Sequence, residues 1–498
     1  MDLFAGPGGL DVAADVLGYR ITGIEWDTDA CATRVAAGMD TFQGDVREYS
    51  AAHFPHAQVL TGGPPCQTFT VAGHGAGRRA LDDVLRYIKR LHIAVSSDEA
   101  TWESISSTWQ EISEELNERA AEAEKIKAEK LEVQALRSVE RKAIKKSLQE
   151  NGSSAEKIEV VLKALRASRD LGPEAADLMH LIEEYNVQGI RLDGLKAKLE
   201  ELGDERTGLV LQPLWWVIER SRRPGLAPYE AVVLEQVPAV MPVWEKYAEV
   251  LSTLGYRTRT QLMFTEAFGV PQTRKRAVLM ARLGETDIPS VPETHERYRP
   301  RTVPAGSSAT TDHAANTLPW DIEENDVAEK PKAAWVSMDA ALRKARSIAP
   351  RLPDRPAFTV VSNYGTGGDP GARGRRDHDV PSATITGKVS RNRLVHKGSD
   401  KSLSGGLDRF TLTEAGVLQT FPVAYPWRGK DQSQQIGNAV PPRLALHVLR
   451  HVLEPESTDD EARARLKQAI ADLETWHPEE PVEVRRHGQW EGHPLTGV

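Results

Sequence analysis

The stretch Gly62-Gly63-Pro64-Pro65-Cys66-Gln67-Thr68-Phe69 is where the chain comes closest to reactive chemistry. Two prolines fix two φ angles and remove two backbone donors, so the thiol that follows them sits on a stiff loop. A free thiol ionises near pH ~8.5 and attacks more readily in an electropositive setting. Cys66 is therefore either a nucleophile held in attack geometry or a small residue in a turn. The second cysteine, Cys31, lies in the helix-like run Asp29-Ala30-Cys31-Ala32-Thr33 and reads as a small buried hydrophobe. Glu235 closes the apolar run Val232-Val233-Leu234, where an acid either acts or is simply a solvated strand end. Gln272-Thr273-Arg274-Lys275-Arg276 offers guanidinium forks suited to paired, charge-assisted bonds. On its own such a run is a solvated turn.

These groups need a scaffold, and the first seventy residues read as one. Leu3-Phe4-Ala5 is a short apolar strand that enters Gly6-Pro7-Gly8-Gly9, and helical spacing follows in Leu10, Val12, Ala13, Val16 and Leu17. A strand, a glycine turn and a helix let backbone approach a ligand at the helix N-terminus. A second strand, Tyr19 to Ile24, ends in Glu25-Trp26-Asp27. An acid roughly twenty residues after a glycine loop is placed to hold a ribose hydroxyl pair, and Trp26 offers a flat face for an adenine. The ordinary alternatives are a solvated strand end and a core aromatic. Gly44-Asp45-Val46 ends a third unit, with Asp45 able to accept from an adenine amino group, and Ala57 to Thr61 is a fourth strand that delivers the Cys66 loop. Ligands of open parallel sheets bind at the carboxyl ends of the strands.

Composition narrows the classes. A chain of 498 residues with 40% hydrophobic residues has material for two or three domains. Two cysteines make neither a disulfide framework nor a four-ligand zinc site, and no metal is expected. No apolar run has the length of a membrane span and the start lacks a secretory pattern, so a reducing cytoplasm is the expected compartment. The net charge of -9 does not advertise nucleic-acid binding, although a local basic face can coexist with acidic appendages.

The blocks DLFAGPGG, EWD, GDV, GGPPCQTF, DERTGLV, EQVP, QTRKR and QQIGNAVPP run in order from residue 2 to about residue 453. In kind and order they resemble the DNA (cytosine-5)-methyltransferase family of bacterial or phage type. The resemblance implies an α/β fold: a Rossmann-like S-adenosylmethionine-dependent methyltransferase sheet with helices on both faces, a smaller β-containing recognition domain and a helical, coiled-coil-like insertion. It implies S-adenosyl-L-methionine as methyl donor and double-stranded DNA as partner. C5 of cytosine is a poor nucleophile; a thiolate adding to C6 makes the ring an enamine that can take a methyl group, and the base must leave the helix first. By resemblance Cys66 is the nucleophile and Glu235 the acid at N3. Arg276 reaches the flipped cytosine's carbonyl oxygen, and Arg274 the same pocket or the target-strand backbone. The donor site implied comprises Phe4, Gly6, Gly8, Gly9, Glu25, Trp26, Asp45, Val46, Pro65, Leu209, Asn438 and Ala439. Phe4 and Leu209 line its apolar walls and Asn438 contacts the donor's amino-acid part. One residue departs from the pattern: Gln236 stands where the family has asparagine, so the bracing of the catalytic loop is expected in altered geometry.

The expected organisation is a first catalytic part (1–90), the helical insertion (91–203), a second catalytic part (204–292), a target-recognition domain (293–406), a final catalytic part (407–456) and a C-terminal helix with a loose tail (457–498). In the insertion Trp102, Ile105, Trp109, Ile112 and Leu116 keep 3-4 spacing. Asn151-Gly152-Ser153-Ser154 breaks that run, and Ser153 with Glu156 reads as a capping box starting another helix. Glu174 to Tyr185 and Leu192 to Leu202 read as two further helices. A structural arm, self-association, a partner or regulatory contact and a clamp touching DNA are the open roles. The recognition region has β-like pieces at Ala357 to Val361 and Ala383 to Thr386, and loops carrying Arg373, Arg375, Arg376, Lys388, Arg391 and Arg393. Two rivals stand beside the DNA enzyme: a transfer-RNA cytosine-5 methyltransferase and a DNA-binding regulator without catalysis.

Overall fold

The computed structural model describes residues 1–65, 76–150, 154, 156, 158–159, 179–202, 207–299, 331–362, 374–454 and 459–488. Cys66, Ser153, the 204–206 part of the Asp-Glu-Arg block, the glycine-rich loop around Arg373 and the end of the tail lie outside them. The strands are β1 (Asp2–Leu3), β2 (Thr22–Glu25), β3 (Asp40–Gln43), β4 (Val59–Gly62), β5 (Ala231–Gln236), β6 (Tyr256–Phe264), β7 (Lys275–Leu283), β8 (Phe358–Val361), β9 (Arg375–Asp377), β10 (Arg393–His396) and β11 (Arg485–Arg486). The helices are α1 (Gly9–Val16), α2 (Thr28–Ala36), α3 (Ala76–Ser96), α4 (Trp102–Glu150), α5 (Met179–Leu202), α6 (Thr207–Arg222), α7 (Met241–Thr253), α8 (Met338–Ile348), α9 (Leu412–Leu418), α10 (Gln432–Asn438), α11 (Pro442–Leu453) and α12 (Asp459–Glu474). The chain divides into two compact units: Met1–Cys66 with Val95–Trp102 and Gln212–Val498, and Gln67–Ala94 with Glu103–Leu211.

The first unit is built on a sheet of order β11-β3-β2-β1-β4-β5-β7-β6. Strands β1 to β5 and β11 pair in parallel, and β7 runs antiparallel to both neighbours. The first five residues of β5 are buried, which is why it reads as one continuous apolar run instead of an alternating one. Leu10 and Ala13 of α1, Val233 of β5, Val278 and Met280 of β7 and Leu446 and Leu449 of α11 share one core. The order of connection reverses at β1, with β2 on one side and β4 on the other, so a crevice opens at the carboxyl ends there. Asp27 starts α2 by accepting from the Ala30 amide at 2.8 Å, which fixes the turn after β2.

A smaller antiparallel sheet, β10-β8-β9, packs Phe358, Val360 and Leu394 into a second core with Leu418, Phe421 and Ile436. Ala383 to Thr386, read from sequence as β-like, is not a strand. Ser382 makes an isolated bridge with Gln272, and the amide of Ile385 donates to the Gln272 side chain at 3.0 Å. A side-chain acceptor has taken the place of a ladder partner, so the β-branched residues do not extend into a strand.

The second unit is helical. Ile126 and Val133 of α4 pack on Leu192 and Leu195 of α5, and Ile144 and Leu148 on Ile182 and Tyr185. Near the start of α4, Glu115 accepts from Tyr87 Oη at 2.7 Å and from Arg90 Nη1 at 3.0 Å, tying α4 to α3. The two helices expected around Tyr185 and Leu192 are one, α5, of 24 residues. Gly189 sits inside it at a cost of about 1 kcal/mol against alanine. A Cβ there would lie 3.1 Å from Arg137 Nη2, and Arg137 stacks over Tyr185 at 4.3 Å, so the missing side chain makes room for the α4 arginine. Among the described residues no helix is long and apolar enough to cross a membrane.

Candidate active site

The site assembles where β1, β2, β4 and β5 end together. Phe4 follows β1 with φ 61°, a left-handed conformation that costs a bulky residue strain, and Gly6 follows with φ 54°. The amide of Gly6 donates to Glu25 Oε2 at 2.7 Å, and the amide of Asp27 donates to Glu25 Oε1 at 2.7 Å. Glu25 thereby ties two strand ends into one rim. Burial pushes its carboxyl above the usual range, and the two backbone bonds hold it back. Trp26 beside it is 71% exposed, an unusual position for so large an apolar ring without a ligand or partner. Trp26, Asp29, Gly44 and Asp45 line a cleft of about 480 Å³, within the range of small-molecule sites. Burial works against ionisation of Asp45, but the hydrogen bonds and charge of Arg47 outweigh it, so Asp45 stays a carboxylate acceptor. Val46 is buried behind it as the first residue of a 3-10 turn.

The three glycines of the first loop have different work. A Cβ on Gly6 would meet nothing within 4 Å. On Gly8 it would lie 2.5 Å from Met39 Sδ, and on Gly9 2.1 Å from the Val440 carbonyl oxygen. Gly6 therefore faces open space where a ligand has access, while Gly8 and Gly9 let α1 close against the protein.

Between β4 and the reactive loop, Gly63 leaves room beside Glu235, whose carboxylate is 3.7 Å from where a Cβ would stand. Pro64 is buried and Pro65 half-buried. Gln236 Nε2 donates to the Pro64 carbonyl, and its Oε1 accepts from the Val237 amide at 2.6 Å. The Gln236 amide thus ties the end of β5 to the backbone two residues before Cys66. Glu235 is 7% exposed, and its Oε1 lies 2.5 Å from Arg276 Nε. Burial lowers the Arg276 pKa and the Glu235 carboxylate opposes that.

Arg274 is placed elsewhere. Its Nη1 donates to the carbonyls of Ile385 at 3.1 Å and Gly437 at 3.0 Å, and its Nη2 to Ala439 at 3.4 Å. These bonds go to backbone, not into the pocket of Glu235 and Arg276. Asn438, between two of those acceptors, is exposed, and its Oδ1 accepts from Gln434 Nε2 at 2.9 Å. Leu209 is half-buried in the helical unit, and Cys66 lies outside the described residues.

Sequence reading missed a buried charge cluster under the first loop. Arg34 donates two bonds to Asp11, at 2.7 and 2.6 Å, and both side chains are almost wholly buried. Asp2 accepts from Thr61 Oγ1 at 2.8 Å, and burial, then the neighbouring Asp11, pushes its carboxyl well up. Two aspartates inside otherwise apolar stretches, DLFA and GLDVAA, were the available signal. Cys31 is buried too, and burial pushes its thiol up to about 12, which fits an inert packing residue. No group of three or more His, Cys, Asp or Glu side chains able to hold a metal occurs among the described residues.

A parallel sheet with one reversed strand, a glycine turn after β1 and acids at the ends of β2 and β3 make a Rossmann-like α/β domain with its site at the carboxyl ends of the strands. Residues 1–92 and 230–454 match the family of C-5 cytosine-specific DNA methylases, and the chain belongs to that family. It is 28% identical over 249 residues to the type II methylase M.HgiDII of Herpetosiphon aurantiacus, covering 45% of this chain and 64% of that protein. It is 26% identical over 215 residues to the type II methyltransferase M1.HphI of Haemophilus parahaemolyticus, covering 42% of this chain and 52% of that one. The chain thus spans less than two thirds of the length of either relative. The solved Dnmt2 methyltransferase of S. pombe aligns over 92% of this chain and 98% of its own, a distant likeness at 12% identity and a TM-score of 0.42.

Proposed function

We propose that the chain is a sequence-specific DNA cytosine-5 methyltransferase. The observation that carries this reading is the arrangement at β4 and β5: Glu235 paired with Arg276, and Gln236 holding the loop that leads into Cys66. In this reading Cys66 adds as thiolate to C6 of a flipped cytosine, forming the C–S bond while the ring's electrons move toward C5. Glu235 gives a proton to N3, which stabilises the enamine. After methyl transfer a base removes the C5 proton, the thiolate leaves as the C5–C6 double bond re-forms, and the N3 proton returns to Glu235. Arg276 fixes the carboxyl and offers its remaining donors to the cytosine carbonyl oxygen. S-Adenosylmethionine, when bound, supplies an electrophilic methyl group. The residues that would hold it are Trp26 and Asp45 in the cleft, Glu25 and Gly6 joined to each other at the ends of β2 and β1, and Asn438.

DNA is favoured over transfer RNA by the length of chain between Arg276 and α9, which leaves room for a recognition region with Arg375, Arg376, Arg391 and Arg393. Arginines of this kind either read guanine or hold phosphate. Incubation with labelled donor and either plasmid DNA or transfer RNA tests the reading, followed by bisulfite sequencing of DNA from expressing cells. Label in DNA at one short sequence context is expected, with none from Cys66→Ser. Label in transfer RNA alone would replace the substrate, and full transfer by Cys66→Ser would remove the assigned nucleophile.

A further inference from the structure

Gln272, Arg274 and Arg276 lie two residues apart where the chain enters β7, and only Arg276 is within the strand. Arg276 serves Glu235, but the other two reach a different place. Gln272 accepts from the Ile385 amide at 3.0 Å and donates to Leu418 O at 3.1 Å and Gln419 Oε1 at 2.6 Å. Gln419 in turn donates to Ile436 O at 2.8 Å. Arg274 bonds the Ile385 carbonyl from one segment and the Gly437 and Ala439 carbonyls from the other. It is 4% exposed, and among the described residues it has no carboxylate in ion-pair contact and its Nε has no partner. A buried guanidinium held only by carbonyls is costly, so its bonds constrain both segments strongly. Those segments also touch each other directly: a Cβ on Gly437 would stand 2.1 Å from the Gly387 nitrogen.

One of these segments belongs to the proposed recognition region. The other carries Asn438, proposed to contact the donor. We propose that Arg274 is a positioning residue that couples donor occupancy to nucleic-acid binding, by making the placement of residues 385–387 depend on that of residues 437–439. This rests on the proposed function. A shift of either segment when its ligand binds alters bonds that the other shares, and such coupling is reciprocal by linkage.

The test is a binding cycle on the full chain. S-Adenosylhomocysteine is the unreactive probe, and the nucleic acid is a duplex carrying the sequence that the wild type methylates. In the wild type each ligand should tighten the other by the same factor, roughly 5- to 150-fold. Arg274→Gln should bring that factor to within about 3-fold of unity while each ligand alone binds with a smaller change. An unchanged factor in the variant, or no coupling in the wild type, overturns the proposal. If Arg274→Gln does not fold, Arg274→Lys, which keeps the charge but loses the fork, goes through the same cycle: a factor near unity supports the proposal and an unchanged factor overturns it. Failure of both variants to fold would show a stability role and also overturn it. Wild-type chain that methylates no nucleic acid would instead sink the functional reading, so the two failures are told apart.

Discussion

Arg276 Nε stands 2.5 Å from Glu235 Oε1, and the two come from neighbouring antiparallel strands in which Gln236 lies opposite Ala277. The pair holds the carboxyl in one orientation before any substrate arrives, which is the pre-organisation that positioned proton transfer needs. In the proposed mechanism Glu235 is the proton donor to N3, and Glu235→Gln keeps the shape without an acidic group. It should lower kcat by about 10²- to 10⁴-fold while S-adenosylhomocysteine still binds, as calorimetry would show. A Glu235→Gln enzyme with wild-type kcat would take Glu235 out of the chemistry.

The Asp11–Arg34 pair is a stability element. Removing one partner leaves a buried charge uncompensated, so Asp11→Ala should cost about 3–5 kcal/mol. Urea denaturation followed by circular dichroism measures this, and a loss under about 1 kcal/mol would mean that water replaces the missing carboxylate.

Gly9→Ala tests which glycine of the first loop serves packing. The new Cβ would lie 2.1 Å from the Val440 carbonyl oxygen. Overpacking of this kind costs about 1–3 kcal/mol, so the donor-free protein should melt at lower temperature. An unchanged melting temperature would show that α1 and the 440 segment are free to move apart.

His447 gives the fold an acid-sensitive contribution. Burial, and then the charge of Arg443, lower its pKa from the ordinary 6.5 to about 3. Between those values the unfolded chain binds the proton and the folded chain does not. The contribution is therefore whole above pH 6.5 and is lost progressively as the pH falls toward about 3. His447→Gln should flatten the stability profile across that window, whatever it does to stability at neutral pH. Unfolding curves at pH 7.5 and pH 5 suffice, and an equal slope in both proteins would exclude His447.

The sheet could be read from sequence because its signals are local. Apolar runs such as Val232 to Leu234, closed by glycine or an acid, mark strand ends without knowledge of what packs on them. Glu25, Trp26 and Glu235 are found at such ends. Arg274 could not be placed that way. It looks identical to Arg276 in the chain, yet its acceptors lie more than a hundred residues onward and only the fold brings them near. The same holds for α5, read from sequence as two helices and found as one, in which Gly189 lies beside Arg137 of another helix. Thr384 and Ile385 have strand propensity, and a glutamine side chain from a distant segment overrode it.

If residues 293–406 hold the recognition region as proposed, the crossing of Gly387 over Gly437 bears on how new sequence specificities can be made. Recognition regions are attractive cargo for exchange between relatives. Here the seam would have to fall outside residues 382–387, because the backbone of Thr386 and Gly387 runs so close to Gly437 that a Cβ there would lie 2.1 Å from the Gly387 nitrogen, and an incoming segment has to follow the same path. A graft that carries its own glycine and its own partner for Arg274 should seat, and one cut a few residues further in should not.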